Sequence, residues 1–171
     1  MNTLAVVCFS LMLSPVLSDS LYCKLIPCNA SFPLQVTGYV TMTSLDNNTV
    51  LVEADVFGLP PNSTFGFHIH QYGNLSSSDC SATGGHFNPY NQNHSCPLSP
   101  ARHMGDMGNM ESGSTGVAEY AEVLNLIDLS LGDTGVKGRA IIVHSQGDDC
   151  VSQPTGNAGT RLAQCVLLDL A

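Results

Sequence analysis

The chain has 171 residues, 43% of them hydrophobic and 6% aromatic, with 14 acidic against 5 basic residues and a formal net charge of −9. That length suits one domain with a real core and is too short for two. The charge argues against nucleic acid or anionic membrane as partners, and it requires any anionic substrate to be attracted by local positive charge.

In chain order, the opening MNTLAVVCFSLMLSPVLSDS reads as a signal peptide over residues 1–20: an apolar core followed by small residues, with cleavage after Ser18 or Ser20. Ser and Pro keep the run short of the ~20 apolar residues that span a bilayer, so no transmembrane segment is expected. Residues 21–171 read as one domain. QVTGYVTM and TVLVEADV alternate with period two around the turn-forming SLDNN, which predicts a hairpin. TFGFHIHQY, GVAEYAEVL, RAIIVH and RLAQCVLLDL are further short strands, and Gly, Pro and Asn separate them at the spacing of an all-β sandwich or barrel. No amphipathic helix is predicted. Two long connections, about 73–115 and about 145–160, interrupt the pattern, and loops of that length in a compact domain usually carry function.

Loss of the signal peptide removes Cys8 and leaves Cys23, Cys28, Cys80, Cys96, Cys150 and Cys165, an even set suited to disulfides in an oxidising compartment. Their pairing is open at this level. Asn29, Asn47, Asn62, Asn74 and Asn93 each begin an N-glycosylation sequon. Together these features predict a secreted glycoprotein.

The chain has 6 histidines, and all of them lie in or beside the two long loops. His68 and His70, two apart in a strand, project from the same face. His144 closes the strand RAIIVH. The first loop adds His86, His94, His103 and Asp106, three imidazoles and a carboxylate suited to tetrahedral zinc. His68, His70 and His144, with His86 shared as a fourth, make a nitrogen-rich set of the kind copper(II) prefers. The competing reading is a polar loop with scattered surface histidines.

In GFHIHQYG, GGHFNP, HMGDMGN, IIVH and GNAGTRLA the chain resembles the copper/zinc superoxide dismutase family, in order and with matching gaps through the metal loop, from about residue 35 to the C-terminus. The resemblance implies an eight-stranded Greek-key β-barrel, an immunoglobulin-like sandwich architecture with two long functional loops. It also implies a secreted enzyme with copper and zinc as cofactors. Superoxide would be converted to dioxygen and hydrogen peroxide by alternate reduction and oxidation of copper. His68, His70, His86 and His144 match the copper ligands, and His86, His94, His103 and Asp106 the zinc ligands. His86 matches the residue that bridges the metals and takes part in proton transfer, Asp148 matches a carboxylate linking ligands of the two metals, and Arg161 matches the arginine that guides and holds superoxide. Thr155 falls where the family narrows the channel. The alternative is a secreted relative that binds or transports the metals with little turnover. A copper-delivery chaperone would need a Cys-x-x-Cys copper domain, which is absent.

Three features depart from the family pattern. The segment HSQGDDCVSQPTGNAGTR is shorter than the family's guiding loop and has no Lys or Glu; it carries instead Cys150, which is expected to pair with Cys96. The family disulfide implies Cys80 with Cys165, although Cys165 comes one position late and a one-residue shift reverses the side-chain face unless a bulge intervenes. Cys23 would then join Cys28 through a turn near Pro27. Finally, Lys137 and Asp169 stand near positions expected to be apolar in the family's dimer; they could pair across a symmetric homodimer interface or prevent that dimer, and the sequence does not choose. The acidic, apolar C-terminus LLDLA predicts no heparin-type tail.

Overall fold

The computed structural model describes residues 19–29, 34–45 and 49–170. The signal peptide up to Ser18, with Cys8, and the sequon residue Asn47 lie outside the described residues. Among the described residues nine strands follow in order: β1 (Ser20–Pro27), β2 (Thr37–Leu45), β3 (Thr49–Phe57), β4 (Thr64–His70), β5 (Asp106–Glu111), β6 (Ala118–Asn125), β7 (Ala140–His144), β8 (Arg161–Val166) and the two-residue β9 (Leu168–Asp169). A single 3-10 turn, Ser81–Thr83, interrupts the long loop after β4. Among the described residues no helix is long and apolar enough to cross a membrane.

The strands pair antiparallel in the order β5-β4-β7-β8-β1-β2-β3-β6, with β9 beside β1. The Ser112–Ala118 bridge and the Tyr120 hydroxyl, which donates to Met107 O at 2.8 Å, draw β6 toward β5 and nearly close the barrel. The connections β3–β4 and β6–β7 each pass over two strands, which makes the topology a Greek key.

Alternation explains the barrel wall. Val40 and Met42 of β2 and Val50, Val52, Ala54 and Val56 of β3 point inward, while Glu53 and Asp55 face water. β4 and β7 differ, because both faces of each are buried. Phe65, Phe67 and Ile69, with Ile141 and Val143, fill the core. His68, His70, Ile142 and His144 are buried too, on the outer face of the barrel, beneath the loops.

Two strands escaped the sequence reading. β1 alternates Leu21, Cys23 and Leu25 inward, but it directly follows the signal-like segment. β5, DMGNME, has no β-branched residue, carries Gly108 at φ 80° and pairs with β4 across a register irregularity. The first long connection therefore runs over 71–105, shorter than expected, whereas the second runs over 145–160 as expected.

Two expected disulfides are corrected. Cys165 pairs with Cys23, not with Cys80, and Cys80 pairs with Cys28, so Cys23 and Cys28 are not joined. The bulge that could have turned Cys165 outward lies farther along, where Val143 and His144 face Ala163 and Arg161. Cys165 keeps the register of Ile141 and points into the core against Cys23 of β1. Cys80, on the outside with Ile142, finds Cys28 just past the end of β1. No turn forms at Pro27, because β1 stays extended to that residue. Cys96 is bonded to Cys150, with Cα atoms 4.8 Å apart.

Replacing both Cys23 and Cys165 with alanine removes a core link between residues 142 apart in sequence. A loss of about 2–5 kcal/mol is expected. Denaturant unfolding of the oxidised proteins checks it, and an unchanged midpoint would contradict it.

Lys137 Nζ and Asp169 Oδ2 lie 2.5 Å apart within the one chain, so these two charges neutralise each other locally.

Candidate metal centre

Strand β4 fixes the centre. His68 and His70 lie on its outer face, and the register of β4 with β7 brings His144 to that same face. The first loop then docks on the end of β4: Phe87 N donates to Ile69 O at 2.8 Å, Ile69 N to Gly105 O at 2.9 Å and Gln71 N to Gly85 O at 2.9 Å. This pseudo-strand places His86 beside His70. Gly105 permits the approach, since a Cβ there would stand 2.2 Å from Ile69 O.

Two groups of donors result, each with its candidate ligand atoms within 4.8 Å of one another: His68, His70, His86 and His144, and His86, His94, His103 and Asp106. All are buried, between 0% and 7% exposed. His86 belongs to both, with its ring 4.0 Å from that of His68 and 5.3 Å from that of His94.

The hydrogen bonds aim the rings. His70 Nδ1 donates to Gly84 O at 2.9 Å, which leaves the Nε2 lone pair facing His144 Nε2, 3.2 Å away. His68 Nε2 meets Asp148 Oδ2 at 2.9 Å, which leaves Nδ1 buried without a partner. His86 Nε2 is likewise unpartnered. Buried unpaired nitrogens that converge are the condition a nitrogen-loving ion such as copper(II) satisfies.

In the second group, Asp106 Oδ1 lies 2.8 Å from His86 Nδ1, 3.0 Å from His94 Nδ1 and 3.2 Å from His103 Nδ1. Four ligands around zinc are separated by about 3.3 Å, as follows from bonds of about 2.0–2.1 Å in tetrahedral geometry. Nδ1 of His94 and Nδ1 of His103 lack a hydrogen-bond partner despite this proximity. The donor set therefore fits zinc. Asp106 Oδ2 meanwhile accepts from the amides of His103 and Ser95, at 3.0 and 3.1 Å, which fixes the carboxylate.

Asp148 joins the two groups, taking His68 Nε2 on Oδ2 and His94 Nε2 on Oδ1, the latter at 2.8 Å. Asn109 of β5 holds it in turn, donating to Asp148 O at 2.9 Å and accepting its amide at 2.7 Å. Such outer partners set ligand orientation and basicity.

Protein charges alone already tune the rings. Burial lowers His68, and burial with the neighbouring rings holds His70 and His144 well below the usual imidazole range. His86 falls to about 4, through burial and His68. Neutral rings are what a metal requires. His94 is the exception: burial opposes its charge, but Asp106 and Asp148 outweigh burial and raise it to about 9. Burial also works against the Asp106 carboxylate, yet His103, His86 and His94 keep it far below the usual range.

Arg161 stands half-buried at the head of β8. Its guanidinium donates to Cys80 O at 2.5 Å, Thr83 Oγ1 at 2.9 Å and Gly84 O at 2.6 Å. Gly84 O also receives His70, so the arginine is tied to the carbonyl that orients a histidine of the first group. Its charge reaches His70 and His144. Thr155 is half-buried on the 145–160 loop. Asn109, Thr83 and Gln153, which brackets the His94 backbone, were not singled out from sequence: each acts through a contact at least 39 residues away, apart from Thr83 to His70.

A family model described as copper/zinc superoxide dismutase matches residues 36–167. A Cu-Zn superoxide dismutase of Yarrowia lipolytica (strain CLIB 122 / E 150) is 38% identical over 136 residues, 75% of this chain and 87% of the relative. The crystal structure of the clock protein EA4 superposes with a TM-score of 0.78 at 34% identity, covering 90% of this chain and 96% of that one.

Proposed function

The chain belongs to the copper/zinc superoxide dismutase family, and from that premise we propose that it is a secreted enzyme dismutating superoxide at the first histidine group, with zinc held in the second. The observation that carries this reading is His86, which belongs to both donor groups, with Nδ1 2.8 Å from Asp106 and Nε2 buried without a partner. His68, His70, His86 and His144 would hold copper, and His86, His94, His103 and Asp106 zinc. Copper, when bound there, supplies the one-electron couple that oxidises one superoxide to dioxygen and reduces a second to hydrogen peroxide.

The chain's own residues supply the rest. Arg161 gives a fixed positive charge in a protein of net charge −9, and the Cys80, Thr83 and Gly84 contacts keep it preorganised to hold an anion near His70. His86 Nε2, buried without a hydrogen-bond partner beside the first group, would take up a proton and pass it to reduced product. Asp106 and Asp148 hold the rings in register. Thr155 would narrow the approach to the arginine.

Secretion is supported by the signal-like residues 1–20, by three disulfides and by exposed sequon asparagines at 29, 62, 74 and 93. β1 begins at Ser20, so cleavage after Ser18 leaves that strand whole. For a homodimer, the internal Lys137–Asp169 pair would leave the edge beside β9 without net charge and able to pack.

The test is superoxide decay per bound copper on secreted protein, with copper and zinc assayed in the same sample. Arg161→Ala is expected to lower kcat/KM about tenfold or more, less steeply at high ionic strength, with copper content unchanged. Stoichiometric copper with negligible turnover in the unaltered protein would overturn the enzymatic reading.

A further inference from the structure

More than metal donors joins the two loops over the second group. Cys96, two residues past His94, is bonded to Cys150, two residues past Asp148. Cys150 N donates to Asp148 Oδ1 at 2.7 Å, the same oxygen that meets His94 Nε2 at 2.8 Å. The circuit from His94 through the disulfide and Asp148 back to the His94 ring is thus closed with no metal atom in it. Gln153 crosses the same gap twice: Oε1 accepts from His94 N at 2.8 Å and Nε2 donates to His94 O at 2.9 Å. Gly156 packs over the junction, where a Cβ would stand 1.8 Å from Asp148 Oδ1 and 2.5 Å from His94 Nε2.

We propose that Cys96, Cys150 and Gln153 are positioning residues for the zinc donor set, clasping His94 to Asp148 before metal arrives and slowing zinc's departure afterwards. The proposal rests on the zinc assignment above. Its physical basis is the cost of ordering. A histidine on a long loop must lose backbone and rotamer freedom to become a ligand, and here that cost is met during folding by a covalent bond and a reciprocal amide pair. Zinc release requires His94 to swing out, and that motion opens the loop against the disulfide and both Gln153 hydrogen bonds. Because Asp148 also holds His68, the clasp keeps the copper donor in place in zinc-free protein.

The test uses the full chain as secreted, loaded with zinc, then mixed with excess chelator while zinc release is followed with a colorimetric indicator. The zinc-free protein is examined separately by amide hydrogen exchange. In Cys96→Ser/Cys150→Ser, release is expected to be about tenfold faster or more, the range typical for loss of a ligand's supporting partner. Gln153→Ala, which keeps every disulfide, is expected to show a smaller acceleration and carries the test should the double variant fail to fold. The core variant Cys23→Ala/Cys165→Ala should unfold more easily yet release zinc at the original rate, which separates positioning from general stability. In zinc-free protein the amides of His94 and Cys150 should stay protected, and lose protection in the clasp variant. Equal release rates and equal protection would overturn the clasp alone. An unaltered protein that takes up no zinc would overturn the zinc assignment, and the clasp with it.

Discussion

His86→Ala is expected to lower superoxide turnover per chain by about 10²–10⁴-fold, the range for loss of a positioned proton donor and acceptor, and to weaken zinc binding in the same molecule. Among the described residues no other side chain belongs to both donor groups. Its Nδ1 lies 2.8 Å from Asp106 and its Nε2 is unpartnered among His68, His70 and His144. Alanine leaves both groups one donor short, and water admitted to the space would not offer one nitrogen to each group as the ring of His86 would. Metal analysis and superoxide decay on one preparation check both effects. Zinc affinity unchanged with turnover lost would show that the ring serves only the first group.

Asp148→Asn is expected to weaken metal binding by about 10–100-fold, as loss of an outer partner usually does. The substitution is nearly isosteric, so the effect is one of proton direction. Two imidazole N–H groups, from His68 and His94, converge on the two oxygens of Asp148. An amide offers one oxygen and one NH2, so one histidine must face a donor and turn its lone pair outward, away from its metal. Asn109 would still hold the backbone of residue 148. Competition titrations for zinc and copper measure the loss. Unchanged affinity for both would show that the carboxylate does not set the tautomers.

Recognition of the site from sequence worked where ligands sit at short, fixed intervals. His68 and His70 share a strand face whatever the rest of the fold does, and the 86–106 segment holds its donors in one loop and the first residue of β5. It failed where a side chain's role depends on a distant partner. The disulfides illustrate the point: Cys165 comes one position late for the family pattern, and whether a bulge restores its direction depends on the pairing of β7 with β8. β1 supplied the partners for both Cys165 and Cys80, and that strand was itself unread.

By itself the sequence determined the strand-and-loop character of the chain, because alternation is local, and the donor set, because six histidines in a chain of this length leave few alternatives. Tertiary structure alone decided which cysteines meet, what orients each ring and how Arg161 is braced. Those outcomes depend on closing loops of tens of residues onto one buried face of β4 and β7, where every polar group must find a partner after water is excluded.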